Sequence, residues 1–263
     1  MAARTVTFGD VAENGPGMQH IGTAANGGLS REDLVAAKAR FEAAGAECEL
    51  VDLRPAFTKC VWPSSAHESA CILVVRQGGG LLANLEDPVA GAAAMEAEQA
   101  ALEPDRRAWM RGRVVNKLAR WNLCFADEGQ AADLEARKGT IVPFSGLPVL
   151  SVARERLAEM FGNSCANLNA ELNVYYDPAK CGIGFHGDAE RKITIGIRLG
   201  TPIPFEYQWF LEGKSVGNRV AIDLKHGDLY AMGAKAVGTD WKRRKVPTLR
   251  HAAGAAKFLK VKT

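Results

Sequence analysis

His186 and Asp188 stand two residues apart in the run Gly182-Ile183-Gly184-Phe185-His186-Gly187-Asp188. In an extended segment, side chains two residues apart point to the same side. One imidazole and one carboxylate can therefore meet a single metal ion. A second histidine from far along the chain would complete three ligands on one face of that ion. Two histidines and one carboxylate are a donor set that holds Fe(II) and leaves positions open for O₂ and a cosubstrate. A bare His-x-Asp is common without a metal, as two unrelated surface residues or as a turn or helix cap, so its surroundings must carry the weight.

The elements that would position these groups are mostly strands. Leu172–Tyr176, Lys192–Leu199, Phe205–Leu211, Arg219–Leu224, Asp228–Met232, Pro247–Ala253 and Lys257–Lys262 read as strands separated by glycine turns. Lys192–Leu199 shows clear period-two alternation. That many short strands point to a sandwich or barrel. The first half reads differently. Residues 1–29 are glycine-rich and unpatterned, which predicts loop. Ser30 is a helix N-cap with acids in the first turn. The helix runs to about Ala44, with Leu34, Ala37, Phe41 and Ala44 on one face. Glu49–Val51 and Ala70–Arg76 are short strands. Pro88–Ala101, the arginine-rich Asp105–Arg120 and Leu150–Phe161 are predicted helices. The expected class is α+β, with residues 1–165 a mainly helical extension packed on one sheet of a β-rich core at 166–263, the two forming one unit.

Composition sets the wider frame. A hydrophobic content of 47% with 24% charged residues is that of a globular chain. No run of 18 apolar residues exists, so no membrane span is expected. The first ten residues lack a secretory apolar core. Cysteines 48, 60, 71, 124, 165 and 181 form no Cys-x-x-Cys pair. Their scatter predicts reduced thiols and an intracellular protein, cytoplasmic or nuclear, taken as a monomer. Charge is uneven: residues 1–150 carry 15 − 19 = −4, and residues 151–263 carry 18 − 11 = +7. The basic half holds the His-x-Asp motif, which suits an anionic partner or is a solubility bias.

The run Asn173-x-Tyr175-Tyr176, a turn, Gly182-x-Gly184-Phe185-His186-x-Asp188-x-Glu190 resembles the AlkB-like branch of the 2-oxoglutarate/Fe(II) oxygenases, over residues 170–263. The resemblance implies a double-stranded β-helix (jelly-roll) core. It implies Fe(II), 2-oxoglutarate and O₂ as reactants, with succinate and CO₂ released and a substrate C–H bond hydroxylated. The substrate it implies is a methylated nucleobase in DNA or RNA, demethylated in the AlkB manner or, for 5-methylcytosine, oxidised in the TET manner. It also implies the site. His186 and Asp188 are metal ligands. His226 lies in a Gly-Asp turn, so His251, 63 residues after Asp188 (251 − 188), is the expected third ligand. Lys260, nine residues further (260 − 251), is the expected anchor for the cosubstrate carboxylate, with Lys257 as fallback. Asn173, Tyr175 and Tyr176 would wall the pocket, and Glu190 would face the nucleotide. The family's distal histidine usually comes sooner, where Gly238-Thr239-Asp240-Trp241 has none; a second alignment therefore matches Leu249-Arg250-His251 to the family's arginine-bearing strand, makes Arg244 and Arg250 the cosubstrate contacts, leaves the metal one histidine short and lets Asp240 stand in. Tyr175, Trp209, Trp241 and the Lys242–Lys245 run are candidates for base stacking and phosphate contact. An oxygenase acting on a protein side chain or small molecule, and a binding module without iron, are the competing functions.

Overall fold

Alternation of side chains builds the centre of the molecule. In β1 (Ala3–Gly9), Val6 and Phe8 face one way while Ala3, Thr5 and Thr7 face the other. The computed structural model describes residues 2–57 and 67–261. Further strands are β2 (Val11–Glu13), β3 (His20–Gly22), β4 (Cys48–Asp52), β5 (Cys71–Val75), β6 (Arg107–Met110), β7 (Arg113–Asn116), β8 (Trp121–Ala126) and β9 (Ile141–Pro143). Beyond them lie β10 (Asn169–Tyr175), β11 (Gly182–His186), β12 (Ile195–Gly200), β13 (Phe205–Leu211), β14 (Lys214–Ala221), β15 (Leu229–Met232) and β16 (Thr248–Gly254). The helices are α1 (Arg31–Ala43), α2 (Gly78–Ala83), α3 (Pro88–Ala100), α4 (Pro148–Phe161) and α5 (Ala234–Val237).

Eight strands form one sheet in the order β4-β5-β15-β12-β1-β10-β8-β9, antiparallel except for β8 with β9. Four more form a second sheet, β11-β16-β13-β14. The class is α+β, with a large mixed sheet. One face of that sheet packs on the helices: Val6, Phe8, Leu172, Ile195 and Ile197 meet Phe41 of α1, Leu82 of α2, Met95 of α3 and Leu157 of α4. The other face meets the four-stranded sheet, where Ile72, Tyr175 and Tyr230 pack with Phe205, Tyr207, Trp209 and Leu249. Both layers keep apolar area from water, the main favourable term in folding.

Helix α1 begins as expected. Ser30 accepts from Asp33 N, and Asp33 accepts from Ser30 N, a reciprocal cap. Three expectations are corrected. Residues 2–29 are only partly loop: β1, β2 and β3 lie there, and β1 is an interior strand, paired with β10 on one side and β12 on the other. Its β-branched Thr5-Val6-Thr7 core was diluted by the glycines that follow. Asp105–Arg120 is not helical but holds the β6–β7 hairpin. Arg111 and Gly112 are both left-handed (φ 52° and 80°), the geometry of a tight two-residue hairpin turn. Lys257–Val261, the described part of the expected last strand, is not a strand: β16 ends at Gly254 and turns and irregular backbone follow to Val261. Lys262 and Cys60 lie outside the described residues. Among the described residues no helix is long and apolar enough to cross a membrane.

Candidate metal centre

His186 closes β11 and His251 lies on β16, and the two are direct cross-strand partners. Asp188 follows β11, its backbone N–H donating to Val237 O. The segment between the two ligands is a glycine for a steric reason. A Cβ on Gly187 would sit 2.0 Å from the Gly238 carbonyl oxygen. Asp188 Oδ1 lies 3.5 Å from His186 Nε2 and 3.5 Å from His251 Nε2. One ligand atom from each residue falls within 4.8 Å of the other two. His186, Asp188 and His251 could together hold a metal ion.

The protonation state suits that use. His186 Nδ1 lies 2.8 Å from Gly184 O and 3.0 Å from His251 O. Carbonyls only accept, so Nδ1 carries the proton and Nε2 presents its lone pair to Asp188 and His251. Burial, with the neighbouring His251, pushes the His186 imidazole down to about 3, so the ring is neutral near pH 7. Burial works against the Asp188 carboxylate, but Arg191 and the two imidazoles outweigh it and hold the group well below the ordinary carboxylate range. Asp188 Oδ2 faces away from the histidines, accepting from Thr194 Oγ1 at 3.3 Å.

The three groups open into a cavity of about 750 Å³ between the sheets. Its wall on the large sheet follows from the same alternation: Thr5 and Thr7, Glu171, Asn173 and Tyr175, Arg198, and Tyr230 and Met232 all share that face. Arg198 is the notable member. It is 1% exposed, and neither Nε nor one terminal nitrogen has a partner. The Thr5 hydroxyl beside it is also unpartnered. Gly196 makes room there, because a Cβ would meet the Tyr230 ring at 2.1 Å. A buried guanidinium without an acceptor is costly unless a ligand supplies one. A second cavity, about 600 Å³, lies beside α4. Its arginine, Arg154, is already engaged by Asp127, Leu168 O and Asn167 O.

No protein-family model matches the chain. Its sequence is 43% identical over 261 residues to uncharacterized protein R156 of Acanthamoeba polyphaga mimivirus, and the match covers 97% of each chain. The chain belongs to the family of that viral protein. The name of that relative assigns no activity.

The structure brings some sequence candidates together and leaves others apart. Asn173, Tyr175, Glu190 and Trp241 line the cavity with the three ligand-type residues. Asn173 is committed to protein partners: Oδ1 accepts from Arg120 Nε and Asn122 Nδ2, both at 2.6 Å, and Nδ2 donates to Glu171. Tyr176 stacks on Trp121 instead, its hydroxyl donating to Leu118 O. Lys260 and Lys257 are exposed beyond β16 and are not in the cavity wall. Arg250 points to the far face of β16, its guanidinium over Phe210 and Trp241 at 4.1 and 5.3 Å. Arg244 is exposed, donating to Glu212 O. Asp240 pairs with Lys235 rather than joining the ligand cluster. Trp209 is core, its indole N–H donating to Leu53 O. His226 accepts from Gly200 N in a turn. His20, placed away from the site in sequence, stands at the cavity mouth beside Glu13. Sequence reasoning passed over Arg198 and Arg191. The signal for Arg198 was a lone cation inside an otherwise apolar alternating strand, Ile193 to Leu199.

Proposed function

We propose that this chain is an Fe(II)- and 2-oxoglutarate-dependent dioxygenase acting on a methylated nucleobase. The observation that carries the proposal is the pairing, in one cavity, of the His186/Asp188/His251 cluster with the buried, unpartnered guanidinium of Arg198. A guanidinium with two free N–H groups matches a carboxylate in shape and charge. Arg198 therefore replaces Lys260, Arg250 and Arg244 as the residue proposed to hold the cosubstrate. The jelly-roll core is part of the same proposal. It is supported by the way β10 to β13 alternate between the large and small sheets, with β15 and β16 doing so again.

The donor set fits Fe(II): two imidazoles and one carboxylate oxygen converge, and His186 Nδ1–H is tied to carbonyls so that Nε2 is free. When bound, Fe(II) with 2-oxoglutarate and O₂ would supply oxidation of a substrate C–H bond, with succinate and CO₂ released. The protein's own contribution is placement. Arg198, Thr5 and Tyr230 would bind and orient an anionic group at the large-sheet wall. Burial holds the Tyr230 phenol up, so it remains a donor. Phe205, Met232 and Tyr175 exclude water from that end.

Support for a nucleic-acid substrate comes from the cavity surroundings. Trp241 and Lys242 stand at the cavity, and Arg243, Arg244 and Lys245 follow in exposed positions. The test is succinate release from 2-oxoglutarate with Fe(II), with and without methylated oligonucleotides, for wild type and His186→Ala. Wild-type turnover raised by a methylated oligonucleotide and absent in the variant is expected. Turnover indifferent to every oligonucleotide would overturn the nucleobase substrate in favour of a protein or small-molecule one. No metal-dependent turnover would leave a binding module.

A further inference from the structure

Arg191 is 3% exposed and sits directly behind the ligand cluster. Its Nη2 donates to Glu171 at 2.9 Å and Glu190 at 3.0 Å, and its Nε lies 3.7 Å from Asp188 Oδ2 and 3.2 Å from Glu190. The other terminal nitrogen is buried with no partner, so the guanidinium is held by carboxylates alone. Glu171 is itself fixed from two sides, by Asn173 Nδ2 and by the backbone N–H of Glu13. Asp188 thus has two distinct oxygens. Oδ1 faces both imidazoles, while Oδ2 is engaged by Thr194 and Arg191.

We infer that Arg191 is a positioning residue for the metal centre, clamping Asp188 so that one carboxylate oxygen alone is offered to the ion. The clamp runs from β10 through Glu171 and Arg191 to Asp188, so the carboxylate is oriented by an interior strand of the large sheet. This rests on the metal-site reading above. Groups that hold a ligating side chain typically change metal affinity 10- to 100-fold when removed. Lysine cannot reproduce the clamp: its single ammonium cannot reach Asp188, Glu171 and Glu190 in one planar array.

The test is Co(II) titration of the full chain, read by calorimetry and by the visible absorption of the bound ion, for wild type, Arg191→Met and Arg191→Lys. Circular dichroism of each metal-free protein checks folding. Arg191→Met is expected to bind Co(II) about 10- to 100-fold more weakly, with an altered spectrum as Asp188 changes its mode of coordination. Arg191→Lys is expected to fold and to recover part of the affinity without the wild-type spectrum. Arg191→Met leaves three carboxylates facing one another, so if it fails to fold, Arg191→Lys decides. Folded variants with wild-type affinity and spectrum would overturn the clamp and leave the metal site standing. A wild-type chain that binds no Co(II) would overturn both.

Discussion

Replacing Arg198 by methionine separates binding from stability in opposite directions. The side chain is 1% exposed, and two of its nitrogens are buried without a partner. Each unsatisfied buried donor costs about 1–3 kcal/mol. Methionine keeps a flexible apolar stem of similar reach and removes those donors. The ligand-free variant should therefore be more stable than wild type by at least the cost of one such donor, about 1–3 kcal/mol, roughly 2–12 °C in Tm for a chain of this size. Binding should move the other way. Two charge-assisted hydrogen bonds at about 1.5–3 kcal/mol each give about 3–6 kcal/mol, or roughly a hundred- to ten-thousand-fold in Kd. The assay is thermal unfolding with Mn(II), with and without 2-oxoglutarate, beside calorimetric titration. Wild type at about 100 times Kd should gain about 2.7 kcal/mol, and the variant, its Kd raised at least about a hundred-fold, no more than about 0.4 kcal/mol. An Arg198→Met protein destabilised by several kcal/mol would show that the guanidinium has native partners. Unchanged 2-oxoglutarate affinity would show that it is not the anchor. Either result refutes the reasoning.

Other outcomes follow from the same geometry. The folded His186 ring titrates at about 3 against an ordinary 6.5, so between those values the unfolded chain binds the extra proton. Stability should fall as pH drops from 6.5 to 4, by about 1–3 kcal/mol. Asp188, a depressed carboxylate, adds a loss of the same sign below its ordinary 3.8. Urea midpoints across this range should flatten in His186→Asn; an unchanged acid limb would assign the effect elsewhere. Gly187→Ala drives a Cβ against the Gly238 carbonyl, so it should cost about 1–3 kcal/mol and weaken metal binding. A variant with wild-type metal affinity would mean that the Gly187–Gly238 contact does not set the ligand spacing. Leu157→Ala in α4, fully buried against the large sheet, should cost about 2–5 kcal/mol without changing metal affinity. Unfolding and Co(II) titrations of the same sample check both halves.

The second half of the chain was legible because its strands are short, alternating and punctuated by glycine. Phe205–Leu211 falls where the pattern placed it, and the expected Lys192–Leu199 strand is present as Ile195–Gly200. His186 and His251 converge because cross-strand pairing sets them side by side, and Asp188, two residues past His186 across Gly187, brings its carboxylate to both. The residues expected to anchor the cosubstrate do not line the cavity, for a physical reason. Distance along the chain from His251 singles out Lys260, and alignment with the family's arginine-bearing strand singles out Arg250, but neither reports which way a side chain points. Arg250 alternates away from the cavity, and Lys260 lies past the end of the strand. Thr5 and Thr7 could not be found at all without the tertiary fold. They reach the site only because β1 inserts between β10 and β12, more than 160 residues later in the chain. The β6–β7 hairpin was misread because arginine carries a good helix propensity, while the left-handed Arg111-Gly112 turn decides the local structure.

The most direct measurement of the central claim is anaerobic Fe(II) titration of the full chain, followed by 2-oxoglutarate, in wild type, Asp188→Ala and His251→Ala. We predict one Fe(II) per wild-type chain, 2-oxoglutarate binding that depends on it, and loss of both in each variant. A wild-type chain that binds no Fe(II), or a His251→Ala protein that binds it as well as wild type, would contradict the proposed centre.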